Sequence, residues 1–414
     1  MATVRWIANA KKVAQVNAIT PANVGVGNTF TVTINSKSLT FTATAGTVAN
    51  VTAGLVALCG ASTAPPEFQE ITWTDSTTHV TATCKTAGLP FTQTSSATGG
   101  TATNVTATTT ANSSPNDVGD TKNWHDGSIN VLPLDADEIY IENTAEGLLY
   151  NLDALAAVNP ISIYRLASHT GEIGLPIVNP AGYQEYRPTR WKLGGGVGVI
   201  NIYQGKGEGT GSSRTRINVQ AAQCNQFIYS TGSPIDTNIA AYSFIGSHAS
   251  NALTVFGGSV DIAYAAGETA TINTYTVNGG TVRFGVGVGT IASGLENGGT
   301  VETNQQVTAL TCRNSLHTHH NGALPAAILE SATLVDNANE TVTAITVGAG
   351  SLYDLSQDVA AKTVTTCTVN AGGSVNDPHR RVTFTNPIIL HRCRLNQVGL
   401  ELGSHITIQR AAGA

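Results

Sequence analysis

Apolar and polar residues alternate with period two through "TFTVTINSKSLTFTATA", where Phe30, Val32 and Ile34 are answered by Leu39 and Phe41 across the polar turn Asn35-Ser36-Lys37-Ser38; the stretch predicts a β-hairpin. The period then changes. In "GTVANVTAGLVALCGAS" the residues Val48, Val51, Leu55 and Leu58 recur at intervals of three and four, which predicts one helix that stops at Gly60. Three further alternating runs follow, "FQEITWTD", "THVTATCKT" and "PFTQTSS", and the Thr/Ser/Gly/Asn-rich stretch 96–115 reads as an edge strand running into a linker. Residues 1–112 are therefore expected to form a small α+β docking domain.

Beyond it the pattern is strand throughout. "NDVGDTKNWHDGSINVLPLDADEIYIEN" delivers the chain through Asp and Gly turns into "EIYIEN", and short apolar runs separated by turns continue to about residue 250, so 113–250 reads as a β-rich lead-in and first rungs of a larger structure. From Leu253 a repeat emerges, in which a small or Gly-rich step leads into a Ser or Thr and then an aliphatic residue. It recurs at Val260, Val282, Val301, Leu316, Leu334, Leu352 and Val375, at intervals of 22, 19, 15, 18, 18 and 23 residues. A second strand accompanies the later repeats in "VTALTC", "VTAITV" and "KTVTTCTV".

Units of about 20 residues are too short to bury an apolar face alone, so neighbours must stack and share a core. Helical periodicity is missing, as are the L-x-x-L-x-L-x-x-N pattern of leucine-rich repeats and the four strands of a propeller blade. The expected fold class is mainly β: a parallel β-helix (β-solenoid) preceded by the small α+β N-terminal domain. Its rungs would span 251–381, about 4.8 Å apart with Gly pairs at the corners, and a C-terminal β cap would cover 382–414.

Charge narrows the function classes. Only 12% of residues are Asp, Glu, Lys or Arg, the net charge is −6, and no basic run exceeds pairs such as Lys11-Lys12 and Arg380-Arg381. That leaves no footprint for phosphate contacts, and nucleic acid is not an expected partner. The N-terminus carries no signal-peptide h-region and no stretch approaches the roughly 18 apolar residues of a membrane span, so synthesis and retention in the cytoplasm are expected and a membrane is not. Cys59, Cys84, Cys224, Cys312, Cys367 and Cys393 are scattered without a C-x-x-C pair, and read as small buried residues.

Candidate chemistry is sparse. "SLHTHHNG" places three histidines in four residues. With Leu316 aligned to Val301 and Leu334 as the inward residue, His317 and His319 point outward from one sheet face, about 6.6 to 7 Å apart, and His320 falls near a corner. Two such imidazoles make either a solvated or subunit-facing strand or, at a symmetry axis, part of a structural metal site; no acidic or Cys partner stands beside them in that register. The densest aromatic and basic cluster is "YQEYRPTRWKL". Its residues Tyr183, Tyr186, Arg187, Arg190 and Trp191 are types enriched at interaction surfaces, and they read as a cap over early rungs, a subunit contact or a glycan platform. Trp6, with Arg5 and Lys11-Lys12, reads as a further anchoring arm. The carboxylates Asp354, Asp358 and Asp377 form no legible catalytic cluster, and the Gly-rich "GKGEGTGSSR" does not match a phosphate loop. No cofactor and no catalytic residue is expected.

Two segments carry a resemblance. "ITPANVGVGNTFTVTINSKSLTFTATAGTVANVTAGLVAL" with the strands after it resembles a small domain of tailed-phage virion proteins, where it precedes β-rich appendage regions. "NWHDGSINVLPLDADEIYI" resembles the N-W-x-x-G-x-x-P-x-x-x-D-x-V-x-I segment of β-helical surface and phage proteins at Asn123, Trp124, Gly127 and Asp137, although the spacing to Pro133 is longer and Glu138-Ile139-Tyr140-Ile141 replaces D-x-V-x-I. The resemblance implies a non-enzymatic virion structural protein: a capsid decoration (cement) protein or another tail-associated spike or fibre. Such a protein would be a homotrimer in contact with the major capsid or tail protein of its particle. The rival expectations are a surface adhesin that binds polysaccharide through Tyr183, Tyr186 and Trp191, and a polysaccharide lyase.

Overall fold

The computed structural model describes residues 2–196, 198–209, 214–232, 240–357, 361–379, 381–395, 398–401 and 408–410. Among these residues the chain is mainly β, and two long sheets dominate, one of sixteen strands and one of eleven. After the first rungs, successive rungs add strands to both sheets, so that Thr274–Val277, Ile291–Glu296, Val307–Arg313 and Leu324–Glu330 stack in the long sheet while Thr281–Phe284, Thr300–Thr303, Leu316–His319 and Thr333–Asp336 stack in the short one. These pairings are parallel and in step with chain order, which is the architecture of a β-solenoid. No described helix is long and apolar enough to cross a membrane.

The core lies between the sheets. Along the short sheet one inward column runs Val260, Val282, Val301, His317, Leu334, Tyr353 and Val375, each paired to the next and each buried. The aligned position is therefore His317 where Leu316 was expected, and Tyr353 where Leu352 was expected; Leu316 is 40% exposed. The cause is at the corners. In the first rungs the left-handed corner glycine, Gly258, Gly280 or Gly299, stands two residues before the inward valine. In the later rungs the left-handed residue is Asn314, Ser331, Gly350 or Gly372, three residues before it. One extra residue after the corner inverts the parity of a strand whose side chains alternate, and moves its whole set to the other face. At the tight corners glycine is required by packing as well as by φ: a Cβ on Gly280 would lie 2.4 Å from the Gly258 carbonyl oxygen, and one on Gly299 2.5 Å from that of Gly280.

The N-terminal region is an insertion. Thr3–Trp6 pairs in parallel with Glu138–Ile141 and antiparallel with Trp124–His125, so the first strand belongs to the solenoid and not to a unit spanning 1–112. Trp6 is accordingly a core residue, its ring 4.8 Å from Trp124 edge-on, and no anchoring arm. Between Val13 and Ser113, which bridge each other, a four-stranded and a three-stranded antiparallel sheet and the helix Val48–Cys59 enclose a second core that includes Phe30, Val32, Leu55, Phe68 and Val80. The hairpin turns tightly at Asn35-Ser36, both with positive φ, and the helix is capped by Thr47 and ends at Gly60.

At the other end Val382–Phe384, Ile388–His391, Gly399–Glu401 and Ile408–Arg410 pair in parallel onto the preceding rungs. The described part of 382–414 thus continues the solenoid where a separate cap was expected. Residues 396–397, 402–407 and 411–414 of that segment, Arg380, Asp358 and residues 210–213 of the Gly-rich stretch lie outside the described residues.

Candidate functional site

The corrected register turns His317 and His319 inward, where both are completely buried. This overturns the outward-facing pair, and with it a metal shared between subunits on these two rings. It also supplies the acidic and sulfur neighbours that the other register lacked. Glu296 and Cys312 are paired neighbours on the inner face of the long sheet, directly across the core from His317. Asn314, at φ 48°, makes the corner that folds Cys312 on one sheet toward His317 on the other. Glu296, Cys312 and His317 are all buried, with one ligand atom from each lying within 4.8 Å of the others.

The hydrogen bonds fix where protons reside. His319 Nε2 faces the Gly322 carbonyl oxygen at 2.7 Å, which only accepts, so Nε2 carries the proton. Burial, with the charges of His317 and Lys362 and against that of Asp336, holds the His319 ring down to about 4, so it is neutral and its Nδ1 accepts. The Thr303 hydroxyl, 2.8 Å from that Nδ1, must donate to it. Having a single proton, Thr303 can then only accept from His317 Nε2 at 3.0 Å. His317 Nδ1 is left facing Glu296 Oε1 at 2.6 Å, so the imidazole and the carboxylate share one proton. Tyr275 donates to the same carboxylate at 2.9 Å and Ser315 to its other oxygen at 2.9 Å. Tyr275 reaches Glu296 because its direct partner on the Glu296 strand, Gly294, has no side chain beneath the ring: a Cβ there would lie 2.3 Å from it. Burial, then Glu296, pushes the Cys312 thiol well above its ordinary value, so it is a thiol while it has only hydrogen-bonding neighbours.

A second buried pair lies farther along. Lys362 Nζ is 2.6 Å from Asp336 Oδ1, and Tyr353 donates to Oδ2 at 2.9 Å. These clusters join strands of different rungs through polar contacts inside a mostly apolar core. Sequence reasoning missed Glu296, Cys312, Thr303, Asp336 and Lys362. One signal was present, an interior glycine followed two residues later by a carboxylate in "IASGLE", because a strand glycine often marks a close approach.

The aromatic and arginine cluster is not an open surface. Tyr183 and Arg187 are buried, and with Tyr186 they grip the inserted N-terminal unit. Arg187 bonds Glu70 at 2.5 Å, Glu185 at 3.0 Å and the Pro90 carbonyl at 2.7 Å, while its guanidinium covers the Tyr186 ring; Tyr183 donates to Glu70. Burial opposes the Arg187 charge, but Tyr186, Glu70 and Glu185 outweigh it and hold the charged form more firmly than usual. Arg190 pairs with Glu268 and bonds Ser243, and Trp191 stacks on Trp124 in the first rungs. Of the scattered carboxylates, Asp354 bonds Asn376 and the Ser356 amide, and Asp377 accepts from the Arg381 and Val382 amides. Asp354 ends the strand Leu352–Asp354 and Asp377 directly follows the strand Ser374–Asn376, so each caps the start of the loop after its strand.

All six cysteines are buried and unpaired. No family model matches the chain, and no curated protein and no solved structure matches it.

Proposed function

We propose that this protein is a non-enzymatic structural component of a phage-like particle, a capsid decoration protein or another rod-like appendage, that acts by self-association as a homotrimer and by docking on the major capsid or tail protein. The observation that carries this reading is the continuous parallel ladder from Thr3–Trp6 to Ile408–Arg410, with a small unit inserted at its first rungs and clamped there by Tyr183 and Arg187. A stacked rod with a fixed head suits projection and docking, and its sparse charge suits close contact with neighbouring subunits. The adhesin reading relied on Tyr183, Tyr186 and Trp191 as a glycan platform, and these rings are engaged within the chain. Light scattering after size exclusion tests the proposal: a stable trimer, or a monomer that binds purified phage-like capsids or tails, supports it. A monomer at high concentration that binds neither overturns it.

A further inference from the structure

The geometry points to a structural zinc site inside the solenoid, with Glu296, Cys312 and His317 Nδ1 as protein ligands. The inference is independent of the particle role. Three observations carry it. First, the donors are of three kinds, a thiol, an imidazole and a carboxylate, a set that suits zinc and not calcium or magnesium, which take oxygen ligands. They come from strands Ile291–Glu296, Val307–Arg313 and Leu316–His319, so each ligand sits on a hydrogen-bonded ladder and none on a loose loop.

Second, the imidazole is already set for the metal. Its Nε2 lies 3.0 Å from the Thr303 hydroxyl, a neighbour fixed on the adjacent strand, which turns Nδ1 toward Glu296 and the other ligand atoms. A ligating histidine whose other ring nitrogen donates to a fixed neighbour is the usual outer shell of a zinc site. Ser315 and Tyr275 hold the carboxylate in the same way.

Third, the charge balances. Without metal the buried Cys312 keeps its thiol proton, since a bare thiolate in the core would be uncompensated, and Glu296 and His317 share one proton across their contact. A zinc ion of charge two displaces those two protons, leaving thiolate, carboxylate and neutral imidazole around it. The net charge of the buried cluster is unchanged, so no uncompensated charge enters the core. Donor atoms on one tetrahedral zinc lie about 3.4 to 3.8 Å apart. The 2.6 Å contact between His317 and Glu296 therefore opens by roughly 1 Å as the ion enters. A water completes the fourth position.

The full chain, produced in zinc-supplemented medium and desalted, is assayed by plasma mass spectrometry. One zinc per chain is expected, retained through gel filtration, lost in Cys312→Ser and kept in Cys367→Ser, a cysteine equally buried but outside the cluster. Absence of stoichiometric metal in the wild type, or its full retention in Cys312→Ser, overturns the site. Should Cys312→Ser fail to fold, the wild type refolded with cobalt decides: a thiolate-to-cobalt charge-transfer band is expected, and a spectrum lacking it refutes the thiolate ligand.

Discussion

His169 is completely buried, and neither ring nitrogen has a hydrogen-bonding partner among the described residues. Burial, reinforced by the charge of the neighbouring Arg165, holds its pKa down to about 3, against an ordinary value of 6.5. Between those values the unfolded chain binds a proton that the folded chain refuses, so stability is full above pH 6.5 and is lost as the pH falls toward 3. The loss is on the order of 3–5 kcal/mol for this one residue. His169→Leu is expected to leave stability at pH 7 intact and to make the acid limb of a chemical denaturation series visibly shallower. An unchanged acid limb would place the acid sensitivity elsewhere. A second substitution tests the corner argument. Leu316 faces outward beside the buried His317, so Leu316→Ser should change stability by no more than about 0.5 kcal/mol. An inward leucine lost in that way would cost several times more, which a urea titration resolves.

Strands are held in register by corners and the inserted unit is held by a clasp, and the two differ in how far the sequence reveals them. Arg187 is the hub of the clasp, bonded to Glu70, Glu185 and the Pro90 carbonyl. Arg187→Ala leaves two carboxylates facing each other in a largely buried site, at a cost of roughly 3–5 kcal/mol. Because the inserted unit has its own core, that cost should appear as detachment and not as unfolding. Faster limited proteolysis between the unit and the solenoid, with far-UV circular dichroism unchanged, is the expected result; intact proteolytic protection would refute the clasp. The hairpin at Phe30 and the helix at Val48 were legible because their periods of two and of three to four are local and uninterrupted. The repeat was legible in its existence, since Gly pairs and β-branched residues recur. Its register was not, because whether two or three residues separate the left-handed corner from the inward position is decided by stacking against the previous rung. At Leu316 and Leu352 that slip exchanged inside for outside, and the site around Glu296, Cys312 and His317 disappeared from view with it. The clasp was hidden for a different reason. Tyr183, Tyr186 and Arg187 have the composition of an intermolecular hot spot, and only the fold shows that their partner lies more than a hundred residues earlier in the same chain.

At the scale of the whole molecule the chain is a rod with a detour. The strand Thr3–Trp6 enters the first rungs, the chain leaves to build the inserted unit, and it returns at Trp124 to pack Trp6, Trp124 and Trp191 together at the solenoid's start. Val13 and Ser113 face each other across an antiparallel bridge, with the Val13 amide 2.8 Å from the Ser113 carbonyl oxygen, so both ends of the detour meet at one neck. Insertions whose ends nearly touch are tolerated because closing the gap costs little chain entropy. Replacing residues 14–112 by a short Gly-Ser linker should therefore leave the solenoid folded, since its rungs contact their neighbours and their own core and need nothing from the unit. The excised unit, with its separate core, should fold by itself. The deletion also uncovers Tyr183, Tyr186 and Arg187, so some loss of solubility is expected, and substituting these three with Ser in the deletion background should restore it. If the unit is the docking head, the deleted protein keeps the native mass of the full chain but no longer binds particles. If self-association is lost along with the unit, the trimer is built by the head, and the rod's flanks have no part in it.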